Sequence, residues 1–325
     1  MPSLVEWRVP PDVEPRPENY DYDLRKALDS VVAVKATIPE DAFTAEVLGT
    51  ERSGNGVVIR NDGVVLTIGY LVTEAETVWL TANDERVIQG HVLGYDHETG
   101  FGLVQALGRL DLPTLSLGRA ADAKVGARVV AAGAGGAEHS VAAFVAARQE
   151  FAGYWEYVLD EAIFTVPAHP YWGGTALIGP SGDLLGIGSL QLQQAREDGS
   201  VAPLNMFVPI DLLYPILNDM LTIGRPNRPP RPWLGLYAAD SDHGIVVAGI
   251  AARGPAARSD VRMGDVVLSV GDSKVQGLAG FFRAIWSLGR AGVEVPITVL
   301  RDGRVVEIRV KSGDRYAFLK GPSLH

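Results

Sequence analysis

Short apolar runs rich in Val, Ile and Leu, each cut off by a polar or glycine-bearing turn, set the pattern of this chain. Residues 30–36, 54–60, 64–67, 76–81, 87–95 and 102–106 read as strands, because β-branched side chains fit a pleated, half-buried surface. Asn61-Asp62-Gly63 supplies a tight turn between two of them. A second series follows at 125–133, 140–148, 162–166, a hairpin spanning 178–187, and 205–210. Such spacing argues for β-barrels or sandwiches, and the absence of a long helical period argues against a parallel α/β sheet. Helical spacing enters at residues 22–28 and again after Asp211, an expected N-cap. There Leu212, Leu213, Ile216, Leu217, Met220 and Leu221 mark one face, and Gly224 ends it. Arg225-Pro226-Asn227-Arg228-Pro229-Pro230-Arg231 reads as a stiff, solvated linker. Beyond it, Leu278, Phe281, Phe282, Ile285, Trp286 and Leu288 repeat as a buried helix face, and 295–300 with 305–310 form a closing hairpin.

Composition narrows the function classes. The 325 residues suggest two or three domains, and 47% apolar content suffices for ordinary cores. A net charge of −10 disfavours nucleic acid or an anionic membrane as partner. No run is long enough to span a bilayer. Having no cysteine, the chain has no disulfide, no thiol chemistry and no cysteine-held zinc. Its first residues, Met1-Pro2-Ser3-Leu4-Val5-Glu6-Trp7-Arg8, lack a basic start and an apolar core like a signal peptide's. The expectation is a cytoplasmic protein, with the periplasm as alternative. Residues 1–19 are rich in proline and acid and read either as a floppy arm or as an arm wrapping a neighbouring subunit, with Trp7, Tyr20 and Tyr22 as anchors.

One loop, Ala168-His169-Pro170-Tyr171-Trp172-Gly173-Gly174-Thr175-Ala176-Leu177, followed by the hairpin at 178–187, resembles the nucleophile loop of the HtrA/Deg serine proteases, with tryptophan where serine stands in that family. The order of motifs is similar from about residue 30 to about 310. Ser53-Gly54-Asn55-Gly56-Val57-Val58-Ile59, Asn61-Asp62-Gly63-Val64-Val65-Leu66-Thr67, Val92-Leu93-Gly94-Tyr95-Asp96 and Asn205-Met206-Phe207-Val208-Pro209-Ile210 each find a counterpart. Val261-Arg262-Met263-Gly264-Asp265-Val266-Val267 resembles the family's PDZ motif and is the most specific of the set.

The resemblance implies a mainly β fold: a Pro-rich arm at 1–29, a trypsin-like double β-barrel at 30–224, a linker at 225–231, a PDZ domain at 232–313 and a tail at 314–325. It places the base position on Tyr70, the orienting carboxylate on Gly100 and the nucleophile on Trp172, to within one residue. A phenol, a missing side chain and an indole cannot run a Ser-His-Asp relay. His169 with Thr175 is an alternative hydrolytic pair, and His97 with His169 an alternative metal pair that lacks a third ligand. Tyr70, Tyr171 and Trp172 either plug the vacated cleft or anchor a peptide.

The resemblance also implies that Trp233, Leu234, Gly235 and Leu236 form a carboxylate-binding loop, with Phe282 and Ile285 on the helical wall of a peptide groove. The expected function is a catalytically inactive protease homologue that binds protein C-termini or unfolded peptides through this groove and pairs with an active HtrA-like or other enzyme subunit. No cofactor is called for, and the family implies an oligomer, usually a trimer. The alternatives are an HtrA-like serine endopeptidase with an altered site, or a chaperone or structural subunit.

Overall fold

Glycine-bearing turns and β-branched runs close into two barrels of six antiparallel strands each in the computed structural model, which describes residues 7–195 and 199–321. The first barrel comprises β1 (Val31–Thr37), β2 (Glu51–Val58), β3 (Val64–Ile68), β4 (Thr77–Thr81), β5 (Val87–Tyr95) and β6 (Phe101–Ala106), in the order β1-β2-β3-β6-β5-β4. Val32, Val57, Leu66, Leu80 and Leu103 fill it and are fully buried. The second comprises β7 (Arg128–Ala132), β8 (Ser140–Gly153), β9 (Tyr157–Val166), β10 (Ala176–Ile178), β11 (Leu184–Ala195) and β12 (Val201–Pro209), in the order β10-β11-β12-β9-β8-β7. Its core gathers Val129, Ala131, Val141, Ile163, Leu177 and Phe207.

A third sheet, β13 (Leu236–Ser241), β14 (Gly244–Ile250), β15 (Val266–Val270), β16 (Ser273–Lys274), β17 (Glu294–Arg301) and β18 (Arg304–Lys311), runs β13-β14-β15-β17-β18, with β16 paired to β15. Helix Gly277–Ser287 covers it, burying Leu278, Phe281, Phe282 and Ile285. The chain divides into two compact units. One takes residues through Gln149 and Glu161–Asn227; the other takes Glu150–Asp160 and Arg228–Lys320.

Several local expectations are corrected. The helix expected from Asp211 does not start there. A single 3-10 turn, Ile210–Leu212, comes first, and the α-helix runs Leu217–Ile223. Pro215 lies within the expected span and lacks the N–H that a continuous helix needs. The Asp211 carboxylate instead accepts the Ala120 N–H at 2.9 Å.

The arm, over its described part, is seated on its own chain. The Val9 N–H donates to the Glu138 carbonyl, the Ala142 N–H donates to the Val13 carbonyl, and Trp7, Val9 and Val13 join the core of the second barrel. The residues before Trp7 lie outside the described part. The tail folds as a 3-10 turn, Arg315–Phe318, whose Phe318 ring lies 5.0 Å from the Trp233 ring. Strands β8 and β9 run far beyond the expected 140–148 and 162–166, and the hairpin tip between them belongs to the second unit.

Candidate functional site

The three positions expected to carry catalysis do meet. Pairing of β3 with β6 sets Ile68 opposite Phe101 and Thr67 opposite Gly102, so the turn bearing Tyr70 and the one bearing Gly100 are neighbours. The Gly69 N–H donates to the Gly100 carbonyl at 2.6 Å. The Trp172 loop is tied to the first barrel by Asn55, whose backbone N–H donates to the Gly173 carbonyl at 2.8 Å. The Asn55 side-chain amide donates to the Tyr171 and Gly173 carbonyls, and its oxygen accepts the Ala134 N–H. Thr67 secures this pin by donating its hydroxyl to the Asn55 carbonyl at 2.6 Å.

Gly174 makes the tight turn behind Gly173, with φ +75, and a Cβ there would strike the Asn55 carbonyl. Only glycine meets both demands at this point.

The Tyr70 hydroxyl stands at the junction and donates to the Ser189 carbonyl at 2.9 Å. Burial, the larger influence, raises its pKa far above the ordinary phenol value, against a smaller lowering influence from the nearby Trp172 side chain. A neutral phenol whose proton is held by a carbonyl is a poor proton acceptor at physiological pH. Gly100 offers no side chain, and neither Trp172 nor Gly173 offers the hydroxyl that acyl transfer needs.

The resemblance places the nucleophile at Trp172 to within one residue, and it is a Cβ on the next residue, Gly173, that would stand 2.8 Å from the Tyr70 hydroxyl.

His169, the member common to both alternative pairs, is engaged elsewhere. His169 is 1% exposed, and both of its ring nitrogens are taken. Nε2 lies 2.8 Å from the His139 carbonyl, which can only accept, so Nε2 carries the proton. Nδ1 then accepts the Tyr171 N–H at 3.0 Å. Burial pushes this imidazole down to about 4. The Trp7 ring closes over His169, Tyr171 and His139. Thr175 donates its hydroxyl to the Trp172 carbonyl at 2.9 Å. Among the described residues no three metal-binding side chains cluster.

In the second unit the expected groove residues are placed otherwise than as open walls. Leu234, Leu236, Phe282 and Ile285 are at most 1% exposed and form the core of the sheet and helix. Trp233 is covered by Phe318 and Arg315. The backbone N–H groups of Leu234, Gly235 and Leu236 do converge on one carboxylate, and it is the chain's own Glu156. Motif reading missed Glu156, because it lies some 80 positions away and outside any recognisable motif.

Residues 54–187 match the model of the trypsin-like peptidase domain, and residues 232–312 that of the PDZ domain. The chain is 27% identical over 273 residues to a probable periplasmic serine endoprotease DegP-like of Pseudomonas fluorescens, covering 80% of this chain and 56% of that protein. The same-named protein of Pseudomonas putida is 29% identical over 278 residues, at 80% and 55%. The chain thus spans about half the length of the curated relatives it matches. Among solved structures, the HtrA-type protease AlgW with decapeptide aligns at TM-score 0.53 and 21% identity, over 92% of this chain and 98% of that one. The serine endoprotease from Yersinia pestis aligns at 0.52 and 19%, over 90% and 96%.

The fold is a trypsin-like double barrel followed by a C-terminal PDZ domain. The relatives support the HtrA/DegP family, whose named members here are serine endoproteases. Their names place them in the periplasm, which supports the periplasmic alternative and not the cytoplasmic expectation. Among the described residues, no helix is long and apolar enough to cross a membrane.

Proposed function

We propose that this HtrA-like protein hydrolyses no peptide bonds and works by binding protein segments, as a regulatory or partner subunit in the periplasm. The observation that carries this reading is Tyr70, which the resemblance aligns with the catalytic imidazole and whose hydroxyl is given to the Ser189 carbonyl, with no hydroxyl-bearing side chain at Trp172 or Gly173. Gly100 supports it, since it offers no carboxylate at the position that the resemblance aligns with the orienting acid. Loss of even one member of such a triad costs on the order of 10⁴–10⁶ in kcat. The PDZ domain supplies the binding function; the proposed assembly is an oligomer, with an active HtrA-like or other enzyme subunit as one partner.

A second reading is an active endopeptidase with rearranged residues, favoured by the relatives' names. Purified protein and its Trp172→Ala variant, assayed on unfolded casein and with a fluorophosphonate label, separate the two. The binding reading expects neither cleavage nor label. Cleavage that survives purification to homogeneity, or a label on a single residue, establishes the endopeptidase.

A further inference from the structure

The tip of the β8–β9 hairpin is built like a peptide seated in the PDZ groove. Its Glu156 carboxylate accepts three backbone N–H groups: from Gly235 at 2.7 Å, from Leu236 at 3.0 Å and from Leu234 at 3.1 Å. Gly235 allows this convergence with φ +74. Two residues before Glu156, the Tyr154 carbonyl accepts the Ala238 N–H at 2.9 Å on the edge of β13 that β14 does not use. Two residues after it, Val158 joins the core cluster that also holds Phe282 and Ile285. Arg283, on the helix that faces β13, bridges Glu150 and Asp160, one on each strand of the hairpin.

A carboxylate in a backbone nest, a strand-edge hydrogen bond and an apolar side chain under the helix are the three contacts by which a C-terminal segment adds to an exposed sheet edge. Glu156 makes them from within the chain. It does so with φ 60, a left-handed conformation unusual for a glutamate, so its surroundings dictate its pose.

We propose that Glu156 is an internal ligand of the carboxylate-binding loop, and that external C-termini bind only when the hairpin tip withdraws. This rests on the reading of the PDZ domain as a peptide receptor. The two occupants exclude each other: three N–H donors cannot serve two carboxylates, and Arg315, whose charge already favours the Glu156 carboxylate, would have to balance a second buried anion. Any external ligand therefore binds with an affinity reduced by the fraction of molecules whose tip is withdrawn.

The test uses the full-length chain as wild type, Glu156→Gln and Glu156→Ala. The probe is a pool of fluorescein-labelled hexapeptides ending in an apolar residue, made as free acids and as C-terminal amides. Amide exchange at Leu234, Gly235 and Leu236 is followed in parallel. The expected result is exchange at least ten-fold faster in Glu156→Ala and free-acid binding at least ten-fold tighter than in wild type, with Glu156→Gln between them and no binding of the amides. Arg283→Ala, which leaves the loop and Glu156 unchanged, shifts affinity the same way by loosening the hairpin, so a folding defect at Glu156 does not decide the matter. Equal affinity in wild type and Glu156→Ala, or unchanged exchange, overturns the internal ligand while leaving the receptor reading intact. Faster exchange with no peptide bound by any variant overturns the receptor reading, and the gating with it, and leaves Glu156 as a structural cap.

Discussion

Lowering the pH should loosen the Trp172 loop through one residue, His169. Its ring is buried, donates from Nε2 to the His139 carbonyl and accepts from the Tyr171 N–H at Nδ1. A second proton would sit on Nδ1 and face that N–H, so the folded protein keeps the imidazole neutral, and burial pushes it down to about 4 from 6.5. The unfolded chain takes up the proton below about 6.5. Between those two values the unfolded state binds more protons, so the stabilisation is complete above 6.5 and drains away as pH falls toward 4. The full gap is worth about 3.4 kcal/mol, of which roughly 2.5 is gone at pH 4.5. His169→Gln removes the titration while keeping a polar side chain. Urea midpoints of both proteins at pH 7 and pH 4.5 measure it. Wild type should lose about 2.5 kcal/mol more than the variant over that interval. Parallel losses in the two proteins would refute the assignment of a neutral, doubly hydrogen-bonded His169.

Three further outcomes follow from the same geometry. Gly174→Ala forces a Cβ against the Asn55 carbonyl at a left-handed position and should lower stability by about 3 kcal/mol in urea titrations, with the loop loosened. Tyr70→Phe removes the hydroxyl that donates to the Ser189 carbonyl and should cost about 1 kcal/mol without creating any casein cleavage. Arg52→Met strips a buried guanidinium from the Gly49, Tyr70 and Thr73 carbonyls and the Thr44 hydroxyl, and should cost about 3 kcal/mol by thermal or urea unfolding.

The sequence by itself determined the two barrels and the third sheet. Their strands are local statements, in which β-branched runs such as those of β1 and β5 end at turns whose residues demand positive φ or deny a helix. It also put Tyr70, Gly100 and Trp172 in one neighbourhood, because the motifs around them keep their order and spacing. The helix start at Leu217 was misread even though its cause, Pro215, is plain in the sequence.

Tertiary structure alone decided the rest. The Tyr70 hydroxyl and the Ser189 carbonyl stand 119 positions apart, and only the packing of both barrels brings them into hydrogen-bond reach. His169 becomes a neutral pin, not a base or ligand, only once the His139 carbonyl and the Tyr171 N–H claim its nitrogens. Glu156 is an ordinary acidic residue in a polar-aromatic turn until three N–H groups some 80 positions away converge on it. Periodicity along the chain encodes which face of an element is apolar; which distant backbone donors meet a given carboxylate depends on how those elements pack, and no local pattern carries that information.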